Sequence, residues 1–364
     1  MESSAPASGA SQSSAPLLDL RGSRLYIPNL GPIFASWKQG VNPLHGRVKQ
    51  AVDARLDALV GGNEKALAKI KAADLGLFAS GLFPDAPYQI LEIVAFYCVW
   101  LFLWDDVIDG AADDGEGGLA AAEYCRESVA FVRYHLGLGE PGAAEPSAPT
   151  KVCESFAEVG RRVGEFCGPA ERAELFEHLR EYMEACVVEH RWRSSGDVPS
   201  VDEFFSWRLK TSSVDILLDF CRILNRIFLP EDILKSRELG AMGLDVNKLL
   251  ILINELFSLK KELKDGPFTN LIPITMWELG TDLSSAVRQV TQDIYNCIHD
   301  FDNSAFALRE TTSKERGEAN AEGLSRLIEA YQAIATSVFN FSVQSPRYGT
   351  LEDRREDGSF VIVL

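Results

Sequence analysis

The sequence predicts an all-α protein, and three observations support that prediction. Apolar residues recur at intervals of three and four over several helical turns in segments 43–60, 171–193 and 323–341. Sustained alternation of apolar and polar residues, which would indicate strands, is missing. The run IVAFYCVWLFLW, residues 93–104, is apolar on every side but too short to span a bilayer. We therefore expect this run to form a buried central helix.

Clusters of glycine and proline separate the predicted helices at 110–118, 137–149, 194–200 and 264–268. None of these breaks is long enough to require a domain boundary, and no internal repeat is present. The first residues lack the basic and apolar regions of a signal peptide. We expect residues 1–20 to form a disordered tail, 21–350 a single domain, and 351–364 a C-terminal tail whose structure the sequence leaves unassigned.

Composition excludes several classes of function. The chain has 364 residues, 46% hydrophobic and 24% charged, as in ordinary globular proteins. Its net charge of −17 argues against broad electrostatic binding to nucleic acid or to an anionic membrane. Because the longest apolar run is too short to span a bilayer, we also expect no stable membrane insertion. Seven scattered cysteines without a CxxC pair indicate reduced thiols in a cytoplasmic protein. The five histidines show no metal-ligand spacing, so zinc is not expected.

The first candidate metal site lies in ILINELFSLKKELKDG, residues 251–266, where Asn254, Ser258 and Glu262 recur at intervals of four. In a helix this spacing places the three side chains on one face, with a drift of roughly 40° per step. Their amide, hydroxyl and carboxylate oxygens are hard ligands that suit Mg²⁺ and leave room for water and phosphate. A solvated helix face would show the same spacing, so the triad alone leaves both interpretations open.

The second candidate metal site is LFLWDDVIDG, at the end of the apolar run. Asp105 and Asp109 share a helical face there, and Asp106 is rotated by roughly 100°. Like charges repel at this spacing, and the helix macrodipole disfavours anions at a C-terminus. The arrangement therefore costs stability unless a cation is supplied. A simple acidic helix terminus is the alternative, although a solvated terminus rarely follows such an apolar run.

Basic residues complete the pattern. Arg208 precedes a turn-like TSS, Lys261 adjoins Glu262, and Arg347 and Tyr348 form a pair near the C-terminus. Taken singly, each fits a surface cation or a packed tyrosine. Together with two oxygen-rich helical faces, they suit a diphosphate bridged by Mg²⁺, with a hydrocarbon in the apolar remainder of the cavity.

The motifs DDVID, Arg208, NELFSLKKE and SPRY occur in an order that resembles the class I terpene synthases, specifically the single-domain microbial and fungal-type cyclases. They extend from residue 105 to 348, most of the chain. The resemblance implies a helical bundle around a central cavity, and an Mg²⁺-dependent enzyme that cyclises farnesyl diphosphate to a sesquiterpene.

The resemblance also implies roles for individual residues. Asp105 would be the principal metal ligand of its motif, with Asp109 a secondary one, and the triad would hold a further Mg²⁺ in a set of three ions. Arg208 would be the diphosphate sensor, followed by Thr211 and Ser212 at the linker and effector positions. The effector is often glycine, so serine there is less diagnostic. The remaining diphosphate-binding residues would be Asn254, Lys261, Arg347 and Tyr348.

The same resemblance implies roles for apolar residues and shows where this chain differs from the family pattern. Leu101 and Phe102, one turn before the aspartates, are expected to line the cavity wall, with Phe341 opposite at a position where relatives often carry tryptophan. Core packing would explain these residues equally well. Glu255 replaces the more usual aspartate after Asn254, and we expect its side chain to point off the ligand face. Phe78, Phe83 and Trp104 are not assigned to the wall.

Four alternatives remain at this stage. A diterpene cyclase would use geranylgeranyl diphosphate instead of the C15 substrate. A chain-elongating prenyl diphosphate synthase would normally carry a second aspartate-rich motif in place of the triad. A cyclase started by protonation is disfavoured because no DxDD motif occurs. In a non-catalytic helical binding protein, the acidic clusters would lie on the surface and have no catalytic role. We expect a prenyl diphosphate as the ligand, no nucleic-acid partner, and a monomer or homodimer.

Overall fold

The computed structural model describes residues 19–110, 117–264 and 269–364. Apart from residues 19 and 20, the predicted N-terminal tail lies outside these ranges. So do most of the break at 110–118 and most of that at 264–268. The α-helices of the described residues are α1 (His45–Leu59), α2 (Glu64–Ala73), α3 (Leu75–Leu82), α4 (Tyr88–Asp109), α5 (Gly117–Arg133), α6 (Lys151–Glu154), α7 (Phe156–Gly164), α8 (Pro169–Ser195), α9 (Val201–Thr211), α10 (Val214–Leu224), α11 (Glu231–Leu234), α12 (Arg237–Glu262), α13 (Leu271–Leu279), α14 (Leu283–Glu315) and α15 (Glu318–Gln344). A π-helical turn lies at Tyr134–Leu138, and 3₁₀ turns lie at Gly31–Phe34, Pro346–Tyr348 and Leu351–Asp353.

Helix α4 confirms the predicted buried central helix. Tyr97, Trp100 and Trp104 on α4 are fully buried, and the Trp104 indole Nε1 donates a hydrogen bond to Ser128 Oγ at 2.9 Å. That bond satisfies the polar atom that burial of a tryptophan would otherwise leave unpaired. Leu101 and Phe102 remain partly exposed on the same helix. From Ile93 to Trp104 the helix is therefore packed on all sides except at Leu101 and Phe102, which face the cavity described below.

Helix α12 is the second central element. It begins at a Ser236 cap, whose Oγ accepts a hydrogen bond from the Leu239 backbone N–H, and it packs against α14 and α15. Leu249, Ile253 and Leu256, which lie roughly opposite the triad on this helix, are fully buried. Because this apolar face fixes the rotation of the helix, the polar face that carries the triad must turn toward α4 and α9.

A two-stranded antiparallel ribbon joins the two ends of the described chain. Strand β1 (Arg24–Ile27) pairs with β2 (Phe360–Val363). Phe360 is buried edge-on against Phe257 of α12, at a ring-centroid distance of 5.2 Å. Residues 360–363, which the sequence left unassigned within the C-terminal tail, therefore pack against α12. Four-residue strands are too short to show the alternation that would have predicted them.

Despite the apolar character of α4, no helix in the described parts of the chain has the length and hydropathy needed to cross a membrane.

Candidate active site

A cavity of about 230 Å³ lies between the C-terminal half of α4 and helices α8, α9, α12 and α15. Every side chain that the sequence analysis assigned to metal, diphosphate or hydrocarbon lines this cavity. These residues are Leu101, Phe102, Asp105, Asp109, Arg208, Thr211, Ser212, Asn254, Ser258, Lys261, Glu262, Phe341, Arg347 and Tyr348. The structure thus brings together residues from opposite ends of the chain.

The triad on α12 occupies one wall. Asn254, Ser258 and Glu262 all line the cavity, as the four-residue spacing predicted. Glu262 Oε2 accepts a hydrogen bond from Asn270 Nδ2 at 2.9 Å, and the Asn254 amide donates from Nδ2 to the Tyr348 hydroxyl at 3.2 Å. The hydroxyl of Tyr348 is therefore tied to the same helix as the predicted metal ligands.

Arg208 reaches from α9 across to α12. Its Nε donates to Glu255 Oε1 at 3.0 Å and its Nη2 donates to Asn254 Oδ1 at 2.9 Å. Burial acts to lower the pKa of Arg208, but the carboxylates of Glu255, Glu189 and Glu262 outweigh it and raise that pKa above its usual value. The guanidinium therefore stays charged inside the cavity.

The expectation that Glu255 points off the site was wrong. Glu255 lines the cavity, is almost fully buried, and is the ion-pair partner of Arg208. Burial raises the pKa of Glu255 to about 7, although Arg208 acts against that rise. Glu255 is rotated by roughly 100° from Asn254, but it lies seven residues before Glu262 and so only roughly 20° from that end of the triad face, on the flank that α9 approaches. Sequence spacing alone gives no sign of that approach.

The segment after Arg208 forms a sharp turn. Helix α9 ends at Thr211, and Ser213 has a φ of 58°, in the left-handed region that disfavours residues with a side chain. Ser212 Oγ donates to Asn247 Oδ1 at 2.7 Å, which fixes the turn to α12. The Thr211 hydroxyl is buried and makes no hydrogen bond within the described residues, while its side chain lines the cavity. A buried hydroxyl at this place can bond a ligand group at no further desolvation cost.

The aspartates of α4 form the wall opposite the triad. Burial and the neighbouring Asp109 raise the pKa of Asp105 to about 7, although the positive charge of Arg193 acts against that rise. Asp109 instead accepts a hydrogen bond from Arg193 Nη2 of α8. Arg193 and the adjacent Glu189 also line the cavity, and the sequence analysis missed both. No motif in the chain distinguishes them from surface charges.

The C-terminal pair closes the polar end of the cavity. Burial raises the pKa of Asp106, and the positive charges of Arg347 and Lys261 oppose that rise. The Arg347 guanidinium carbon lies 4.7 Å from the centre of the Phe102 ring, within cation–π distance. Arg347 therefore sits between the acidic end of α4 and its aromatic strip.

The apolar end of the cavity is lined by aromatic and aliphatic side chains. Phe78 of α3 lies between the two predicted wall residues, 6.2 Å from Phe102 and 4.8 Å from Phe341 between ring centroids. Phe78, which was not assigned to the wall from the sequence, belongs to it. Phe83 and Trp104, also left unassigned, do not line the cavity.

The donor set fits a hard divalent cation. Oxygens of an amide, a hydroxyl and carboxylates face the cavity from α12 and α4, which is the ligand chemistry that Mg²⁺ prefers. In the described residues, no group of three or more His, Cys, Asp or Glu side chains could hold a metal ion. A metal bound here would therefore depend on Asn254 and Ser258 as well as on carboxylates.

Comparison with known proteins agrees with this architecture. A family model described as terpene synthase family 2, C-terminal metal binding, matches residues 97–300, more than half of the chain. The sesquiterpene cyclase hepA of Aspergillus oryzae is 28% identical over 348 residues, which cover 93% of this chain and 93% of that protein. The 10-epi-cubebol synthase of Sorangium cellulosum is 26% identical over 284 residues, covering 78% and 86% of the two chains.

A solved structure gives the same fold. The linalool/nerolidol synthase from Streptomyces clavuligerus, in complex with 2-fluorogeranyl diphosphate, has a TM-score of 0.70 at 20% identity and covers 83% of this chain and 100% of its own. This similarity confirms the predicted fold class, a mostly helical single domain. The family match and the cavity together lead to one conclusion: the chain belongs to terpene synthase family 2 of the class I terpene synthases, and it is a terpene synthase or cyclase, a carbon–oxygen lyase.

Proposed function

We propose that this terpene cyclase ionises farnesyl diphosphate with the help of three Mg²⁺ ions, and cyclises the resulting carbocation to a sesquiterpene. The observation that carries the proposal is the division of one cavity into a charged end and an aromatic end. Charged and oxygen-bearing side chains suit a metal-bridged diphosphate, whereas the Phe78, Phe102 and Phe341 rings suit a hydrocarbon. The names of the relatives hepA and 10-epi-cubebol synthase support a cyclised product.

The proposed metal ligands are Asp105 and Asp109 on α4, and Asn254, Ser258 and Glu262 on α12. Mg²⁺ bound at these residues would neutralise charge that develops on the departing diphosphate. Asp109 already accepts a hydrogen bond from Arg193, so its role as a ligand requires that bond to be shared or exchanged. Asp105 has no such competing cation at hydrogen-bond distance in the described residues, which supports it as the principal ligand of its motif.

The proposed diphosphate-binding residues are Arg208, Lys261, Arg347 and Tyr348, with Asn254 adjoining them. In the ionisation step, the bond between C1 of the prenyl chain and the diphosphate oxygen breaks, and its electron pair leaves with the diphosphate. Fixed cations that surround the leaving group lower the barrier because they are already oriented before charge develops. Thr211 and Ser212, at the turn after Arg208, would face the end of the substrate where C1 lies.

The carbocation that remains requires a dry wall that does not react with it. The rings of Phe78, Phe102 and Phe341 present π-electron faces that stabilise positive charge, and Leu101 adds apolar surface that excludes water. We therefore assign chain folding and cation protection to this end of the cavity.

The decisive experiment offers the purified enzyme geranyl, farnesyl and geranylgeranyl diphosphate separately, with and without Mg²⁺. Diphosphate release and gas chromatography with mass spectrometry report ionisation and product. We expect Mg²⁺-dependent conversion of the C15 substrate to a cyclic product. Cyclisation of the C20 substrate alone would replace the substrate assignment by a diterpene one.

Two further arms test the remaining alternatives. Addition of isopentenyl diphosphate would yield longer prenyl diphosphates if the enzyme elongates chains, and we expect none. Failure to turn over any prenyl diphosphate with Mg²⁺ would overturn the proposal in favour of a binding protein. The variant Glu262→Gln serves as the control for contaminating activity, because it removes one proposed metal ligand without changing the size of the side chain.

A further inference from the structure

Asn270 makes a dense set of hydrogen bonds at the start of α13, immediately beside the triad. It is 1% exposed and it caps α13, where its Oδ1 accepts a hydrogen bond from the Ile272 backbone N–H at 2.9 Å. Its Nδ2 donates to Glu262 Oε2 and to the Glu255 carbonyl oxygen, both at 2.9 Å. Since Oδ1 faces an N–H and Nδ2 faces a carboxylate, all these contacts agree on the orientation of the amide.

The acceptors of this amide belong to the site. Glu262 is the proposed metal carboxylate, and the hydroxyl oxygen of Ser258, another triad member, lies 3.5 Å from the same Nδ2. The next residue, Leu271, donates its backbone N–H to Glu255 Oε2 at 3.0 Å. Asn270 and Leu271 together therefore bond the metal carboxylate and the carboxylate that holds Arg208.

A helix cap alone does not require this residue. Serine and threonine cap helices about as well as asparagine, because the cap needs only a side-chain oxygen that accepts a backbone N–H. The amide nitrogen takes no part in the cap. It donates hydrogen bonds of 2.9 Å to the Glu262 carboxylate and to the Glu255 backbone carbonyl of α12. Occupying one oxygen of Glu262 fixes the carboxylate plane and leaves Oε1 for a cation.

We propose that Asn270 is a positioning residue for metal binding: its amide orients Glu262, and more weakly Ser258, toward Mg²⁺. This inference rests on the proposed function, since it takes Glu262 to be a metal ligand. Groups that orient metal ligands in this way typically change metal affinity or activity by about 10- to 100-fold when they are removed.

The test replaces the amide but keeps the cap. Asn270→Ser and Asn270→Thr retain an oxygen that accepts the Ile272 N–H, and both lose the donor to Glu262. The matched control is Asn42→Ser. Asn42 is also 1% exposed, its Nδ2 donates to the Phe83 and Ala86 carbonyl oxygens at 2.9 and 2.8 Å, and its Oδ1 accepts from Leu44 N–H at 3.0 Å. Asn42→Ser therefore loses equivalent bonds at a residue that does not line the cavity.

The measured quantity is the rise in melting temperature as Mg²⁺ is titrated in the presence of inorganic diphosphate. We expect the Mg²⁺ concentration for half-maximal stabilisation to rise about 10-fold or more in both Asn270 variants, and to be unchanged in Asn42→Ser. All three variants should lose some melting temperature without ligand. If either folded Asn270 variant titrates like the wild type, Asn270 serves only the cap and the proposal is wrong.

Measurements on the wild-type protein distinguish a failure of this inference from a failure of the proposed function on which it depends. A wild type that neither gains stability from Mg²⁺ and diphosphate nor turns over a prenyl diphosphate contradicts the proposed function itself. A wild type that responds, beside an Asn270→Ser variant that responds equally, contradicts the positioning role alone.

Discussion

Arg208 Nε donates to Glu255 Oε1 at 3.0 Å, while the same guanidinium donates from Nη2 to Asn254 Oδ1 at 2.9 Å. The proposed diphosphate sensor and a proposed metal ligand are thus joined directly by a hydrogen bond. Because Asn254 Oδ1 is the oxygen that a metal would require, we expect a metal to compete with Arg208 for it, and the diphosphate to compete with Asn254 for the Arg208 guanidinium. Glu255 would retain the guanidinium during that exchange, since its ion pair does not involve the ligand oxygen.

The geometry of Arg208 predicts that a positive charge alone at this position is not sufficient for full activity. Arg208→Lys keeps a cation but loses the planar fork that holds Glu255 and Asn254 in fixed directions, so we expect kcat to fall by about 100-fold. Steady-state diphosphate release measures this. Arg222→Lys is the matched control, because Arg222 also bonds two side chains, the carboxylates of Glu171 and Glu174, away from the cavity. Wild-type kcat in Arg208→Lys would remove the sensor role.

The triad on α12 predicts that its variants lose enzyme activity but keep the stability of the fold. Glu262→Gln and Asn254→Leu remove proposed metal ligands, so turnover should fall by about 100-fold or more while helix content and melting temperature without metal stay near the wild type. Circular dichroism melts and product assays at limiting Mg²⁺ provide the two readouts. Glu310→Gln on the exposed face of α14 should change neither. Full activity of either triad variant at limiting Mg²⁺ would refute the metal assignment for α12.

The aromatic wall predicts changed products rather than lost ionisation. Replacing Phe102, Phe341 or Phe78 with Leu keeps most of the apolar volume but removes the π face, so the carbocation should be quenched earlier. We expect more acyclic or early-cyclised products, with diphosphate release falling much less than the yield of the main product. Gas chromatography resolves this shift.

The control for the wall is Phe301→Leu. Phe301 is fully buried against Trp37, with ring centroids 4.6 Å apart, and does not line the cavity. It should lose about 1 kcal/mol of stability while product ratios stay fixed. If the cavity variants behave as Phe301→Leu does, these rings are ordinary core residues.

His178 predicts a pH-dependent contribution to stability. A hydrogen bond with Asp219, at 2.7 Å between Nδ1 and Oδ2, raises the pKa of His178 above its usual 6.5, although burial acts against the rise. A histidine with a raised folded-state pKa binds its proton more tightly when folded. Its stabilisation is therefore complete below the unfolded-state pKa and is lost as the pH rises through the folded-state value.

The variant His178→Gln keeps a hydrogen-bond donor for Asp219 but cannot carry the charge. We expect the melting temperature of the wild type to exceed that of the variant most at about pH 6 and less at about pH 9. His299→Gln, on an exposed part of α14, is the control and should show no such trend. A difference that stays constant or grows with pH would contradict the pKa direction.

Residues within one helix could be placed from the sequence. The period of the α-helix fixes the angle between Asn254, Ser258 and Glu262, and between Asp105 and Asp109, whatever surrounds them. The same local rule predicted the burial of α4, because a helix that is apolar on every side must be covered. The wall positions Leu101 and Phe102 follow from their place one turn before Asp105.

Contacts between helices required the tertiary structure. Glu255 pairs with Arg208 across 47 positions and Asp109 with Arg193 across 84. The helical period says which residues share a face, but it does not say which flank of a neighbouring helix lies opposite. The sequence therefore indicated that Arg208 and the triad meet, from the resemblance of their motifs, but not that Glu255 holds the guanidinium.

The ribbon and the roles of Phe78 and Asn270 could not be predicted for the same reason, because they too depend on contacts between distant elements. Strands β1 and β2 pair the two ends of the described chain, and they lie on a surface that α12 and α14 provide. Phe78 and Asn270 resemble core and cap residues in their local sequence. Their relation to the cavity comes from the packing of α3 and α13 beside α15 and α12, which depends on side-chain volumes throughout the core rather than on any local pattern.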